Sequence, residues 1–309
     1  MKKTCDIFMF FLLFFIIFSY GGGILMKVGI QLYSVRNHME KDPIGTIRHV
    51  AEAGYRYIEV ANHQADKDHG VGFGAPAKEI KKVLEATGAR IVSAHIFPLN
   101  REVLKPVLEY FSELGAAYLV APMDFFADKA EVLAKCEVYN EMAGLCAESG
   151  IKFLYHNHFQ EFRTLDGETI FDLIMEHTDP ALVGAELDTY WAVRGGQDPI
   201  ALLNKYGERM RLIHQKDFPA AEKDRLNLID AVEKGGITVD MDYFVGVVSP
   251  ATFTEIGTGI LPIQEIIDAG NRACKTDYII LEQDFSRYDE YESIRISMES
   301  FKKFAGIEW

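Results

Sequence analysis

The sequence predicts an α/β protein, a single (β/α)8 barrel over residues 26–309. Three observations carry that expectation. Short apolar, β-branched runs alternate with helix-length segments eight times over. The helical segments repeatedly stop at glycine, which accepts the left-handed turn that ends a helix. The last four strand-like runs end in His, Asp or Glu, which packing alone does not explain. A doubly wound sheet would need a glycine-rich phosphate loop after its first strand, and none is written there.

Residues 27–32 read as the first strand. Asp42-Pro43 then supplies an N-cap and a first-turn proline, and Gly54 ends the helix. Residues 57–62 and 75–87 form the second unit, stopped by Gly88. Residues 91–97 and 103–114 form the third, stopped by Gly115, and 118–123 with 129–149 the fourth, stopped by Gly150. The fifth strand is 152–158, with its helix at 168–177. The sixth is 183–188, followed by a helix from Asp198-Pro199 to Tyr206. The seventh is 211–216, and an excursion over 217–258 delays its helix to 261–274. An excursion of that length on the active face reads as a lid or a partner surface. Residues 278–284 and 289–304 close the TIM barrel, with no low-complexity linker anywhere, so one domain is expected.

Composition narrows the function classes. A net charge of −14 disfavours a nucleic-acid surface, which needs a clustered basic face. Cys5, Cys136, Cys146 and Cys274 have neither CxxC nor zinc-ribbon spacing, so any metal should sit on His and carboxylates. Residues 1–25 are a hydrophobic leader with two readings. Lys2 and Lys3 before the apolar run 7–20 match a signal-peptide core, which would mean export. Gly21-Gly22-Gly23 followed closely by Met26 instead matches a translated ribosome-binding site and a start assigned too far upstream. The second reading is preferred because no A-x-A cleavage site is present. It implies a cytoplasmic protein with no membrane segment after Met26.

Side chains two apart on a strand share a face. Leu154, His156 and His158 therefore align, as do Gly184, Glu186 and Asp188; Leu212, His214 and Lys216; and Ile280, Glu282 and Asp284. Pointed inward, each set ends polar at the C-terminal rim, where barrel enzymes keep their chemistry. Gln31, Glu59 and His95 join them from earlier strands. Glu59 and Glu186 have an equal claim as hydrogen-bonded core groups, and for His95 the core reading is the preferred one. Asp188, His214 and Glu282, on successive strands, make a carboxylate–imidazole–carboxylate shell for Mn, Zn, Co or Mg.

These residues, together with Val28-Gly-Ile-Gln-Leu-Tyr-Ser-Val-Arg36, Tyr155-His-Asn-His158, Glu161-Phe162, Glu186-Leu-Asp188 with Trp191, His214-Gln-Lys-Asp217, Glu255-Ile-Gly-Thr-Gly259 and Glu282-Gln-Asp284, resemble the sugar phosphate isomerase/epimerase family, the xylose isomerase-like barrels. The order and spacing of the motifs carry the likeness over the whole barrel. The resemblance implies one divalent ion, Mn2+ before Zn2+, Co2+ or Mg2+, held in the order Glu, Asp, His, Glu on strands five to eight. Asp188, His214 and Glu282 match the last three. The strand-five position is His156, with Glu161 as the nearest carboxylate, and both remain candidates.

The departure bears on mechanism, because epimerases of this family work with two metal-bound glutamates on opposite sides of the substrate. The His-rich motif is closer to the inosose dehydratases and 3-keto-glycoside lyases of the group. In that scheme Glu282 and His156 flank the metal as candidate bases, His158 is the free acid/base, and Lys216 stabilises enediolate charge. Arg36, His95, Trp191, Arg194 and Glu255 are candidates for holding the substrate. The expected activity is isomerisation or epimerisation of a small keto sugar by proton abstraction beside a carbonyl. The alternatives are elimination from a keto sugar or 3-keto-glycoside with a small partner subunit, a DNA-repair endonuclease, and a non-catalytic sugar-binding barrel. With no anion nest at the seventh or eighth loop, an unphosphorylated sugar is expected. A homo-oligomer would use the 217–258 excursion.

Overall fold

The structure, a computed structural model, describes residues 25–273 and 275–309. Apart from Leu25 the hydrophobic leader lies outside the described residues, as does Cys274. Eight strands make the barrel: β1 (Met26–Gln31), β2 (Tyr57–Asn62), β3 (Arg90–Ile96), β4 (Tyr118–Ala121), β5 (Lys152–His156), β6 (Val183–Asp188), β7 (Met210–Gln215) and β8 (Tyr278–Leu281). Each pairs in parallel with the next, and β8 returns to β1 with Lys27 opposite Tyr278 and Ile30 opposite Leu281. Closure leaves no barrel strand with a free edge.

The helices between them are α1 (Pro43–Glu52), α2 (Ala77–Thr87), α3 (Arg101–Leu114), α4 (Lys129–Glu148), α5 (Ile170–His177), α6 (Pro199–Tyr206), α7 (Ile263–Ala273) and α8 (Glu290–Phe301). Their starts follow local chemistry. Asp42, Asn100, Asp128, Thr169, Asp198 and Asp289 each accept a hydrogen bond from a first-turn N–H. Gly88 and Gly115 end α2 and α3 in the left-handed region, at φ 71° and 75°. The α2 helix starts two residues later than the sequence suggests, because Pro76 holds the extended N-cap and disfavours helix at Ala75.

Three strands are shorter than expected, β4 by ending at Ala121. β5 stops at His156, because the Asn157 side chain takes over the ladder: its Oδ1 accepts from Asp188 N at 3.0 Å and its Nδ2 donates to Asp188 O at 3.1 Å. That leaves His158 on a loop rather than on the strand face. β8 stops at Leu281, where the next N–H groups go to Gln215 O and then to Ser34 Oγ.

One apolar core fills the space between the strands and the surrounding helices. Inside the barrel, Tyr118, Val120, Leu154 and Leu212 plug the bottom. A separate cluster built on Phe159, Tyr190, Trp191, Phe218 and Phe253 ties the 217–258 excursion to the mouth. The excursion carries two short helices, Ile229–Gly235 and Met241–Val247. Asp217 pins its far end, accepting from the N–H groups of Phe218, Gly257, Gly259 and Leu261 at 2.8–3.1 Å. Among the described residues no helix is long and apolar enough to cross a membrane.

Candidate active site

Above the apolar plug the barrel turns polar in two tiers, because the sequence writes an ionisable residue two places beyond an apolar one on β5, β7 and β8. The lower tier is a closed ring of two carboxylates and two imidazoles. His95 Nε2 lies 2.5 Å from Glu186 Oε2, and His214 Nε2 lies 2.5 Å from Glu59 Oε1. The crossed contacts, His95 to Glu59 and His214 to Glu186, are both 3.3 Å. Gln31 and Ser93 complete the ring by donating to the two Glu59 oxygens at 3.0 and 2.5 Å. Burial opposes every charge here. Against it, the His95 and His214 imidazoles hold Glu59 below the usual carboxylate range. The Glu186 and Glu59 carboxylates likewise hold His214 well above the usual imidazole range. Burial and the neighbouring Glu59 charge lift Glu186 to about 7.

The upper tier holds His156, Asp188, His214 and Glu282, whose donor atoms lie within 4.8 Å of one another. His156 Nε2 is 3.5 Å from Asp188 Oδ2, and His214 Nδ1 is 3.1 Å from Glu282 Oε2. The Lys216 ammonium sits between the two acids, 2.5 Å from Asp188 Oδ2 and in contact with Glu282. Burial disfavours its charge, yet Asp188, Asp284 and Glu282 raise its pKa well above the lysine range.

The donor set fits a divalent ion. The ring nitrogen His156 Nδ1 lies 2.9 Å from Pro122 O, which can only accept, so the proton is on Nδ1 and Nε2 keeps its lone pair. Among the described residues that Nε2 has no hydrogen-bond partner, although His156 is almost fully buried. Burial and the surrounding cations hold His156 well below the usual range, in the neutral, ligating form. His214 presents Nδ1 to this tier while Nε2 rests on Glu59, the outer-shell arrangement that fixes a ligating ring.

Glu161, the other strand-five candidate, is not brought to this set. Its carboxylate accepts from Tyr155 Oη at 2.7 Å and from His158 N at 2.8 Å, and burial lifts it to about 7.

A cavity of about 340 Å³ opens over the upper tier. His95, His156, Glu282 and Asp284 form its floor, with Tyr33, His63 and His158 on the wall. Phe97, Met123, Met241, Phe244 and Val245 supply an apolar rim. His158 Nδ1 is buried without a partner among the described residues, and burial holds the ring well below its usual pKa. Two larger clefts bring no histidines together: one of about 520 Å³ where residues 90–92 and Tyr278 begin their strands, and one of about 570 Å³ between α3 and α4.

The remaining expected substrate contacts divide. Arg36 lines an adjoining cavity of about 270 Å³ that shares Tyr33 and His63, and its Nη2 donates to Asp284 O at 2.6 Å. Trp191 and Arg194 are buried behind the site, not in it. The Arg194 guanidinium lies over the Tyr190, Trp191 and Phe218 rings and bonds Tyr190 Oη and Thr252. Glu255 is turned away, accepting from Ser286 Oγ and Ser293 Oγ at 2.6 and 3.0 Å. Its partners lie on a distant loop and on α8, invisible to local pattern.

Alternation places Asp284 on the inward face beside Glu282 but gives it no role, whereas nothing local marks Met241 or Val245.

A closed barrel with an ion-competent His/Asp/Glu cluster at its C-terminal mouth defines a barrel enzyme. The profile of the xylose isomerase-like TIM barrel family matches residues 47–304, and the chain belongs to that family. An inosose dehydratase of Clostridium perfringens is 32% identical over 225 residues, covering 63% of this chain and 72% of that protein. A sugar phosphate isomerase/epimerase from Parabacteroides distasonis superposes with a TM-score of 0.73 at 23% identity, covering 93% and 97% of the two chains. The IolI protein, whose structure holds a zinc atom, superposes at 0.64 with 13% identity, covering 91% and 100%.

Proposed function

We propose that the protein is a divalent-metal-dependent lyase that eliminates a β-oxygen substituent from a small keto sugar or keto cyclitol. The observation carrying this reading is His156. With Nδ1 bound to Pro122 O it offers only Nε2, so one of the two carboxylates that epimerisation would use is replaced by a group that cannot return a proton. The inosose dehydratase relatives support the same reaction class.

His156, Asp188, His214 and Glu282 would hold the ion, and their mixed N/O set suits Mn2+, Zn2+ or Co2+. When bound, the ion polarises the substrate carbonyl. His158, neutral and with a free ring nitrogen on the cavity wall, takes the proton from the carbon beside the carbonyl. The released electron pair forms the enolate, whose charge the Lys216 ammonium offsets. The β-carbon–oxygen bond then breaks, and Asp284 gives its proton to the departing oxygen. Burial together with the Glu282 and Asp188 charges lifts Asp284 to about 7 against the pull of Lys216, so it is partly protonated at neutral pH. The products are an enone and water or an alcohol.

Among the described residues no lysine or arginine lines the main cavity, in keeping with an unphosphorylated substrate. Isomerisation shares the first step and is favoured by one observation: the unpaired His158 nitrogen could hand its proton back to the substrate.

Proton NMR in D2O separates the two. The Met26-start protein, loaded with Mn2+, is offered ketoses, inososes and 3-keto-glucosides, and the ion is chelated before acquisition. Elimination gives a vinylic proton and a released water or alcohol. Loss of an α-proton signal from an intact skeleton would replace the lyase reading with isomerisation. No exchange by metal-loaded protein would overturn both.

A further inference from the structure

We infer that the rim of the cavity is a second subsite, built to take an apolar, aryl-sized substituent carried by the sugar. The inference rests on the keto-sugar reading above and names the class of substrate within it.

Large apolar side chains left in water call for an explanation when they converge. Of the eight exposed ones among the described residues, Phe97, Met241 and Val245 face the same cavity, at 38%, 40% and 63% exposure. They come from opposite sides of the mouth, the loop after β3 and the helix Met241–Val247. On that helix Tyr243, Phe244 and Val247 pack half-buried against the aromatic cluster, whereas Met241 and Val245 stay exposed with no such packing role.

Phe244 is the central anchor of the helix, with Tyr243 and Val247 packed beside it on the same cluster. Phe244 stacks on Phe159 with ring centroids 5.9 Å apart and planes 9° apart, and meets the His158 ring edge-on at 5.0 Å. With Phe244 anchored, Met241 three residues before it and Val245 one after it reach over the cavity.

The cavity is therefore two-sided, with ionisable groups below and carbon above. A polyol alone leaves the upper half wet. A sugar with its carbonyl on the floor and an apolar substituent projecting outward covers both halves. The departing oxygen of the proposed elimination would be the one that carries this substituent, so the rim would hold the leaving group until its bond breaks.

The test is a binding comparison that needs no turnover. Phenyl and methyl β-D-glucopyranoside are titrated into metal-loaded protein, with affinities from calorimetry and contact epitopes from saturation-transfer NMR. The phenyl glycoside should bind about tenfold tighter, with saturation strongest on its aryl protons. The double substitution Met241→Ser/Val245→Ser should bring its affinity down to that of the methyl glycoside. Val138→Ser, on the outward surface of α4, should leave the tenfold advantage intact. Equal affinities in the unaltered protein, no measurable binding of the phenyl glycoside, or an advantage that survives the double substitution would each overturn the inference. The turnover assay fails independently: aryl preference without a vinylic product removes the lyase reading and keeps the subsite, and a vinylic product without aryl preference does the reverse.

Discussion

His156 and Glu161 sit five residues apart and both claim one ligand position, with His156 ahead on strand register; the difference between them is what each side chain touches. His156 has a lone pair aimed into the cluster, whereas both Glu161 oxygens already accept hydrogen bonds. His156→Ala should therefore weaken ion binding by at least about a hundredfold, the upper end of what outer-shell changes cost. Glu161→Gln should stay within about threefold. Calorimetric titration of both variants with Mn2+ and Zn2+ checks this, and a larger loss at Glu161 would reverse the assignment. Glu161 also predicts a pH effect. Its folded pKa of about 7 lies above the reference 4.5 because burial favours the neutral acid. Its contribution is thus fully present below pH 4.5 and is lost as pH rises through 7, by roughly 3 kcal/mol. Urea unfolding between pH 5 and 8 should show that fall, and Glu161→Gln should flatten it.

At the scale of elements, local pattern made the strands and helices legible because caps, glycine stops and strand periodicity are short-range. The roles of Trp191, Arg194 and Glu255 were not legible. Arg194 bonds Thr252 and Glu255 bonds Ser286 and Ser293, while the Trp191 ring packs near Phe244 and Phe253, all partners dozens of residues away that no spacing rule reaches. Register shifts at Ile58/Glu59 and Ala185/Glu186 likewise set which tier each inward carboxylate joins, and alternation cannot foresee them. The excursion hangs on Asp217, whose carboxylate serves four N–H groups. Asp217→Ala leaves those donors unserved and should cost about 2–4 kcal/mol. Hydrogen exchange should rise over residues 254–261 and in the Met241–Val247 helix while the barrel strands stay protected.

Across the whole molecule, the barrel interior is apolar at one end and ionic at the other, with His214 joining the tiers through its two nitrogens. The lower ring is stable only while its charges alternate. Glu59→Gln leaves two imidazoles facing one carboxylate and should cost about 3–5 kcal/mol, lowering the melting temperature by roughly 10 °C. An unchanged melting point would mean that the ring is neutral rather than ionic.

Lys216 gives the upper tier a counterion that the chain carries permanently. Its ammonium already separates Asp188 from Glu282, so stripping the protein with a chelator would not leave two bare acids repelling each other in a dry barrel. In this respect the protein is the reverse of a zinc finger, whose fold is supplied by its ion. The stripped form should melt within a few degrees of the loaded one and recover function on simple readdition. Ion occupancy would then act as a switch on activity alone, leaving the scaffold intact through repeated cycles of loss and reloading.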